Sequence, residues 1–260
     1  MPISLHYQPE YTTHTLAELE GMLTRVEQGG TVAWELIADA RGLSLREEAE
    51  TRTAPTRVDF LDASLQYRLR TTGKRQGLGK AIGLDKVASG HTITVVDATA
   101  GFGRDAFTLA HLGCEVVMIE RSPLLHALLQ DGMSRASSDV SGKARLDRMR
   151  LVHAESREYL AACINGEVPA PDVVYLDPMF PPRQKSAKVK KDMALLHQLL
   201  GSEGELESLL SIALKAANNR VVLKRPDGKL PADFPAPTLW IGEQPAAFAV
   251  YVNSSFSRMR

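Results

Sequence analysis

From residue 91 onward the chain alternates short apolar runs with longer stretches whose apolar residues recur every three or four positions. TITVVD is followed by RDAFTLAHLG, which closes at Gly113, and CEVVMIE by SPLLHALLQDGMSRA. MRLVHA precedes SREYLAACI, and DVVYLDP precedes KDMALLHQLL and ELESLLSIALKAANN. NRVVLKRP supplies a fifth run of the first kind. Near-continuous β-branched strands separated by amphipathic helices predict an α/β fold whose parallel sheet is covered on both faces. TLWIG and AAFAVYVN lie too close together for a helical crossover, so they predict a terminal antiparallel hairpin.

Before residue 90 the pattern is mixed and predicts a small α+β N-terminal domain over 1–57. ISLHY has the length of a short strand, and TLAELEGMLTRVEQGG has helical periodicity up to Gly29 and Gly30. TVAWELIAD and LSLREE predict a hairpin. Residues 58–90, VDFLDASLQYRLR continuing into a basic glycine-rich stretch, are expected to link this unit to the main domain over 91–260.

Composition narrows the function classes. The 260 residues are 44% hydrophobic and 24% charged, which is ordinary for a folded chain. Lys+Arg and Asp+Glu both number 31, so any nucleic-acid contact must come from local clusters of charge. Cys114 and Cys163 have no CxxC or histidine spacing, so no metal site is expected. The N-terminus lacks the pattern of a signal peptide, and no apolar run approaches a membrane span, so a cytoplasmic protein without a membrane partner is expected.

The stretch VVDATAGFGRDAF, residues 95–107, sits between a strand and a helix, the context in which a glycine-rich loop carries information. Gly101 and Gly103 admit close approach of a ligand to the backbone, and the helix start offers free N–H groups. Without a GKS or GKT the loop is not a nucleoside-triphosphate P-loop. Written as GxGxxA it remains compatible with a dinucleotide fold. Asp97, at the strand end before the glycines, is placed to meet the amino group of S-adenosylmethionine. Glu120, ending the next strand, is placed to accept from two ribose hydroxyls, and would serve a nicotinamide cofactor equally well. Glu155 and Ser156 follow the third strand, within reach of an adenine edge. Plainer roles stay open for all of these: Asp97 as a turn cap, Asp105 as a favourable charge at a helix start, Glu155 and Ser156 as loop.

Strand four ends in DPMFPPRQKSAKVKK, residues 177–191. Asp177-Pro178-Met179-Phe180 resembles the Asp/Asn-Pro-Pro-aromatic signature of amine-directed methyltransferases. An exocyclic amine on a base is a poor nucleophile because its lone pair is delocalised. A carboxylate and a carbonyl that accept its two hydrogens turn that lone pair toward the methyl donor. Pro178 holds those acceptors in place, and Phe180 can stack on the base. A strand terminator with a core phenylalanine is the plainer alternative. Arg183, Lys185, Lys188, Lys190 and Lys191 follow without an acid, and Arg68, Arg70, Lys74, Arg75 and Lys80 lie in a second acid-free stretch. Both suggest phosphate contact, against the plainer reading of solvated faces. Lys224 and Arg225, after the fifth strand, fall on the same edge with either a substrate or a structural role.

With VVDATAGFGRDAF, RLVHAES, VVYLDPMFPPRQKSAKVKK and VVLKRPD in view, the chain resembles the ribosomal small-subunit methyltransferase J family. Those bacterial enzymes methylate N2 of a guanosine near the 3′ end of 16S rRNA. Five parallel strands and a hairpin are likewise the layout of a class I, Rossmann-like methyltransferase. The resemblance implies S-adenosylmethionine as cofactor without a metal, with S-adenosylhomocysteine as product. It implies cofactor contacts at Arg104 and Asp105, Glu120 and Arg121, Glu155 and Ser156, and Asp177. It also implies 16S rRNA or the small ribosomal subunit as partner, with no obligate protein partner. The family often carries two small hydroxyl residues where this chain has Glu155–Ser156. Competing readings are methylation of adenine N6 or of a protein glutamine, an NAD-dependent oxidoreductase, for which His153 is the sole histidine near a strand end, and a non-catalytic RNA-binding assembly factor.

Overall fold

The computed structural model describes residues 3–23, 33–49, 54–88, 90–178, 206–225, 228–232, 234–242 and 247–253. The chain starts with strand β1 (Ile3–Tyr7) and helix α1 (Leu16–Leu23), followed by β2 (Trp34–Asp39) and β3 (Gly42–Glu47). At the head of α1, Thr15 and Glu18 form a reciprocal capping box: Thr15 N–H donates to Glu18 Oε2 at 2.7 Å, and Glu18 N–H to Thr15 Oγ1 at 3.2 Å. Gly29 and Gly30 lie outside the described residues. β2 and β3 pair antiparallel as the expected hairpin, while β1 adds to β2 in parallel. Trp34, Leu36 and Ala38 alternate onto the buried face of β2.

Residues 58–90 hold more regular structure than their composition suggests. Helix α2 (Ala63–Thr71) is capped by Asp62, whose side chain accepts from Ser64 N–H and Leu65 N–H. Helix α3 (Gly77–Ala81) and a short 3-10 turn at Leu84–Lys86 follow.

The main sheet is built from β4 (Thr94–Asp97), β5 (Glu115–Glu120), β6 (Met149–His153), β7 (Val173–Leu176), β8 (Arg220–Lys224), β9 (Leu239–Ile241) and β10 (Phe248–Val252). Its order is β6-β5-β4-β7-β8-β10-β9. The first five strands are parallel; β10 inserts antiparallel beside β8, and β9 pairs antiparallel with β10. This is the expected parallel sheet with a terminal hairpin. The interleaved helices are α4 (Arg104–His111), α5 (Pro123–Ala136), α6 (Val140–Leu146), α7 (Ser156–Ile164) and α8 (Leu206–Ala216). The sequence pattern did not predict α6; its start is fixed by Asp139, which accepts from Gly142 N–H at 2.8 Å. The segment expected to form a helix at KDMALLHQLL lies outside the described residues.

The period-two alternation of the strands sorts side chains between two cores. Val96, Val174, Leu176, Val221 and Leu223 face α7 and α8. Val95, Val173, Tyr175 and Val222 face the other way, into a core shared with α4, α5 and the N-terminal sheet. That core is continuous across the N-terminal segment. Phe60 stacks on Phe107 at 4.9 Å between ring centroids. Gly42, with φ of 107°, tucks against α5, where a Cβ would lie 2.3 Å from Arg135 Nε and 2.7 Å from Asp131 Oδ2. Among the described residues no helix is long and apolar enough to cross a membrane.

Candidate active site

Strand order reverses between β4 and β7, and in open parallel sheets the crevice beyond the strand ends at such a point is where ligands bind. The register fixes what stands there. Asp97 is opposite Tyr175 in the β4–β7 pair, and Leu176 is opposite Leu223 in the β7–β8 pair. One step beyond, Asp177 falls beside Lys224. Alternation therefore sends Asp97, Tyr175, Asp177 and Lys224 to one face of the sheet, toward the first turn of α4.

Asp105 is the hub of that face. Its Oδ1 accepts from Arg68 Nη2 at 2.5 Å, and its Oδ2 accepts from Tyr175 Oη at 2.5 Å and Lys224 Nζ at 2.7 Å. Burial alone would raise its pKa, but Lys224 and Arg68 outweigh that and hold the carboxyl well below its usual range. The same Lys224 Nζ donates to Asp177 Oδ2 at 2.7 Å. Burial would lower the lysine's pKa; its two carboxylate partners reverse this and push it up. Asp177 is pushed up to about 6 by burial and by the charge of Asp105, against the opposing pull of Lys224.

The glycine loop is fastened to this cluster. Asp97 accepts from Thr99 N–H at 3.1 Å, and Thr99 Oγ1 accepts from Asp177 N–H at 2.6 Å. Ser156 Oγ donates to the Ala98 carbonyl at 2.6 Å, binding the start of α7 to the same loop. The two glycines act differently. Gly101 has φ of 53°, and a Cβ there would face open space, with the nearest atom 3.8 Å away. Gly103 has φ of 68°, but its Cβ would meet Leu129 Cδ2 at 2.9 Å and Phe60 Cζ at 3.1 Å. The first leaves room for a ligand; the second leaves room for the core.

Around the open side of Gly101 stand two desolvated acids. Asp97 is 2% exposed, and burial pushes its pKa up to about 8. Glu120 is 3% exposed and pushed up to about 7 by burial, with Oε1 accepting from Ser122 N–H at 2.7 Å. Carboxylates buried at such a cost suit a ligand that brings a cation to one and hydroxyl donors to the other. That is the donor set of S-adenosylmethionine, so the cradle fits the cofactor. Arg121 Nη1 and Arg157 Nε reach Glu155 at 3.5 and 3.4 Å, and the Arg121 carbonyl pairs with His153 Nε2 at 3.1 Å. Arg104 is exposed at the head of α4.

The structure thus gathers Asp97, Gly101, Gly103, Asp105, Glu120, Ser156, Asp177 and Pro178 at one edge, with Arg104 at the head of α4 and Arg121 and Glu155 on the adjoining loops. Arg68, expected in an RNA-facing cluster, turns its guanidinium to Asp105, whereas Arg70, Lys74 and Arg75 are exposed. Phe180, Arg183, Lys185, Lys188, Lys190 and Lys191 lie outside the described residues. Sequence reasoning missed Tyr175 and Thr99 and left Lys224 undecided. Among the described residues no group of three or more His, Cys, Asp or Glu is placed to hold a metal.

Comparison with known proteins finds relatives over most of the chain. The family model described as "Putative SAM-dependent methyltransferase" matches residues 22–253. The ribosomal RNA small subunit methyltransferase J of Chromohalobacter salexigens is 42% identical over 241 residues, covering 92% of this chain and 93% of its own. Its namesake in Shewanella piezotolerans is 40% identical over 255 residues, covering 97% and 92%. The crystal structure of a SAM-dependent methyltransferase from Neisseria gonorrhoeae is similar at a TM-score of 0.69 and 30% identity, over 98% of this chain and 96% of that one.

Proposed function

The chain belongs to the ribosomal RNA small subunit methyltransferase J family of SAM-dependent methyltransferases, and from that premise we propose that it methylates N2 of a guanosine in 16S rRNA. The observation that carries the reading is the placement of Asp177 at the end of β7, with its main-chain N–H on Thr99 of the glycine loop and its carboxylate on Lys224.

S-adenosylmethionine supplies an electrophilic methyl on a sulfonium. The residues of this chain do the rest. Asp97 and Glu120 would hold the amino-acid and ribose ends, with Arg121 and Glu155 on the loops and Arg104 and Ser156 at the helix starts around the nucleoside. Gly101 lets the main chain approach the ligand. Asp177 accepts a hydrogen of the guanine amine, and the backbone carbonyl at Pro178 is the candidate acceptor for the second. Held so, the amine would present its nitrogen lone pair to the methyl donor. One amine proton then leaves, to Asp177 or to water. Alignment supplies the larger part of the acceleration, on the order of 7–11 kcal/mol in well-oriented systems. Phe180 is assigned to stacking on the extruded base. Arg70, Lys74 and Arg75, with Arg183, Lys185, Lys188, Lys190 and Lys191, are assigned to RNA phosphates, and Arg68 to the edge between that cluster and Asp105. The RNA, free or within the small subunit, would be met in the cytoplasm.

Mass spectrometry of 16S rRNA from cells lacking the gene tests the reading. Loss of one N2-methylguanosine, restored by the wild-type gene, is expected. An unchanged modification profile would overturn it.

A further inference from the structure

Lys224 joins two carboxylates that have different claims on it. Its Nζ lies 2.7 Å from Asp105 Oδ2 and 2.7 Å from Asp177 Oδ2, and its side chain is 21% exposed. Asp105 is also held by Arg68 and by the Tyr175 hydroxyl. Among the described residues no other donor reaches the Asp177 carboxylate. Its main-chain N–H is on Thr99. Asp105 is therefore an anchor that aims the long lysine stem, and Asp177 is what the stem is aimed at.

We propose that Lys224 is a positioning residue for Asp177, occupying Oδ2 and holding the group as a charged acceptor so that Oδ1 is presented to the substrate amine. This rests on the methyltransferase reading above. A carboxylate accepts the amine hydrogen; a protonated carboxyl presents a competing donor. The groups facing Asp177 are Lys224 of β8, Asp105 of α4, Arg68 of α2, Asp97 of β4 and Tyr175 of its own strand. Two of the five are acids close enough to oppose its ionisation. Lys224 is the cation in contact, since Arg68 is paired with Asp105. An ammonium suits this task because it is a point charge with separate donors, able to take one oxygen from each acid. A guanidinium prefers to grip both oxygens of one carboxylate.

Three variants test the assignment: Lys224→Gln and Lys224→Met, both neutral, and Lys224→Arg, which keeps the charge. The direct readout is a carboxylate carbon NMR titration of Asp177 in labelled protein without RNA, assigned by its loss in Asp177→Asn. In the neutral variants the midpoint should rise by about one unit or more, a tenfold shift in the ratio of ionised to protonated form per unit. In Lys224→Arg, which keeps the charge but not the shared contact, it should rise less than in the neutral variants. Single-turnover methylation of 16S rRNA should show its acidic limb moving up with the NMR midpoint. At about pH 5, below both midpoints, the neutral variants should lose kcat about tenfold, with KM for RNA changed less than about threefold. An Asp177 midpoint unmoved in a folded neutral variant overturns the proposal, whatever the RNA result. A wild-type protein inactive on 16S rRNA overturns the functional reading instead, and leaves the titration to judge Lys224. Lys224→Gln keeps a donor between the two acids, so the test survives if Lys224→Met does not fold.

Discussion

The main-chain N–H of Asp177 donates to the hydroxyl of Thr99 at 2.6 Å, so the end of β7 is fastened to the turn that opens the glycine loop. The proposed cofactor cradle and the proposed amine clamp therefore share one hydrogen bond. Thr99→Val keeps the shape and removes the acceptor. It should cost about 1–3 kcal/mol of stability by leaving a half-buried N–H unpaired. It should also lower kcat more than it raises KM for RNA, and Thr99→Ser should restore both. Calorimetry with steady-state kinetics checks this; a Thr99→Val enzyme with wild-type kcat would show that the bond does not set the clamp.

Asp177→Ala removes the proposed acceptor itself. Methyl transfer should fall by about a hundredfold or more, the usual cost of losing one oriented polar group at a reacting centre. The protein should still fold and bind S-adenosylhomocysteine by calorimetry. Turnover close to wild type is the result that would reject the role.

Gly101 and Gly103 should fail in different ways when replaced by alanine. Gly103→Ala drives a methyl into Leu129 and Phe60, an overpacking that costs about 1–3 kcal/mol and shows as a lower Tm. Gly101→Ala meets open space, so beyond the strain of its positive φ it should mainly weaken cofactor binding. Thermal melts and binding isotherms on the pair separate the two effects. Equal losses of Tm with equal affinities would contradict the assignment.

With the proposed cofactor contacts, Asp97 and Glu120 should make binding depend on pH. Their folded pKa values of about 8 and about 7 lie above the ordinary carboxylate range. As pH rises from about 4, the unfolded chain gives up these protons first, so these two groups lower stability progressively until pH passes their folded values. A ligand that brings an ammonium to Asp97 and hydroxyls to Glu120 favours the ionised forms and should release protons on binding below pH 8. S-adenosylhomocysteine titrations in buffers of different ionisation enthalpy measure that release. Affinity should rise from pH 6 to pH 8, and Glu120→Gln should flatten part of the rise. A proton count of zero at pH 6.5 would refute the linkage.

Replacing Arg70, Lys74 and Arg75 together by alanine should flatten the salt dependence of RNA binding. If each meets one phosphate, the slope of log K against log salt falls by roughly 2. Arg68→Ala should instead lower Tm, because it strips a partner from buried Asp105. A triple variant with an unchanged slope would mark the three as a solvated face.

The acids of the site were legible because each ends a strand or begins a helix, positions that local pattern reveals. Asp97, Glu120 and Asp177 follow apolar runs, and Asp105 opens an amphipathic one. Tyr175 was not legible, because inside VVYL a tyrosine reads as one more strand residue. Only the placement of Asp105, in the first turn of α4, gives its hydroxyl a carboxylate. Thr99 was hidden in the same way, by a turn whose purpose depends on a residue 78 positions later. Arg68 stood in a run of positive charge, and nothing in that run says that one member turns inward to an acid 37 positions away. The parallel pairing of β1 with β2 was equally out of reach, since the alternation that marks a strand does not name its neighbour.

The stacking of Phe60 on Phe107, beneath Gly103, bears on how far this enzyme is modular. A catalytic fragment beginning at residue 91 would keep each side chain proposed to touch the cofactor. It would lose the ring that wedges the glycine loop from below and the arginine that steadies Asp105. The smallest transplantable unit is therefore set by a hydrophobic contact and not by the chemistry. Anyone grafting this site onto another scaffold would have to bring residues 58–71 along as its keystone.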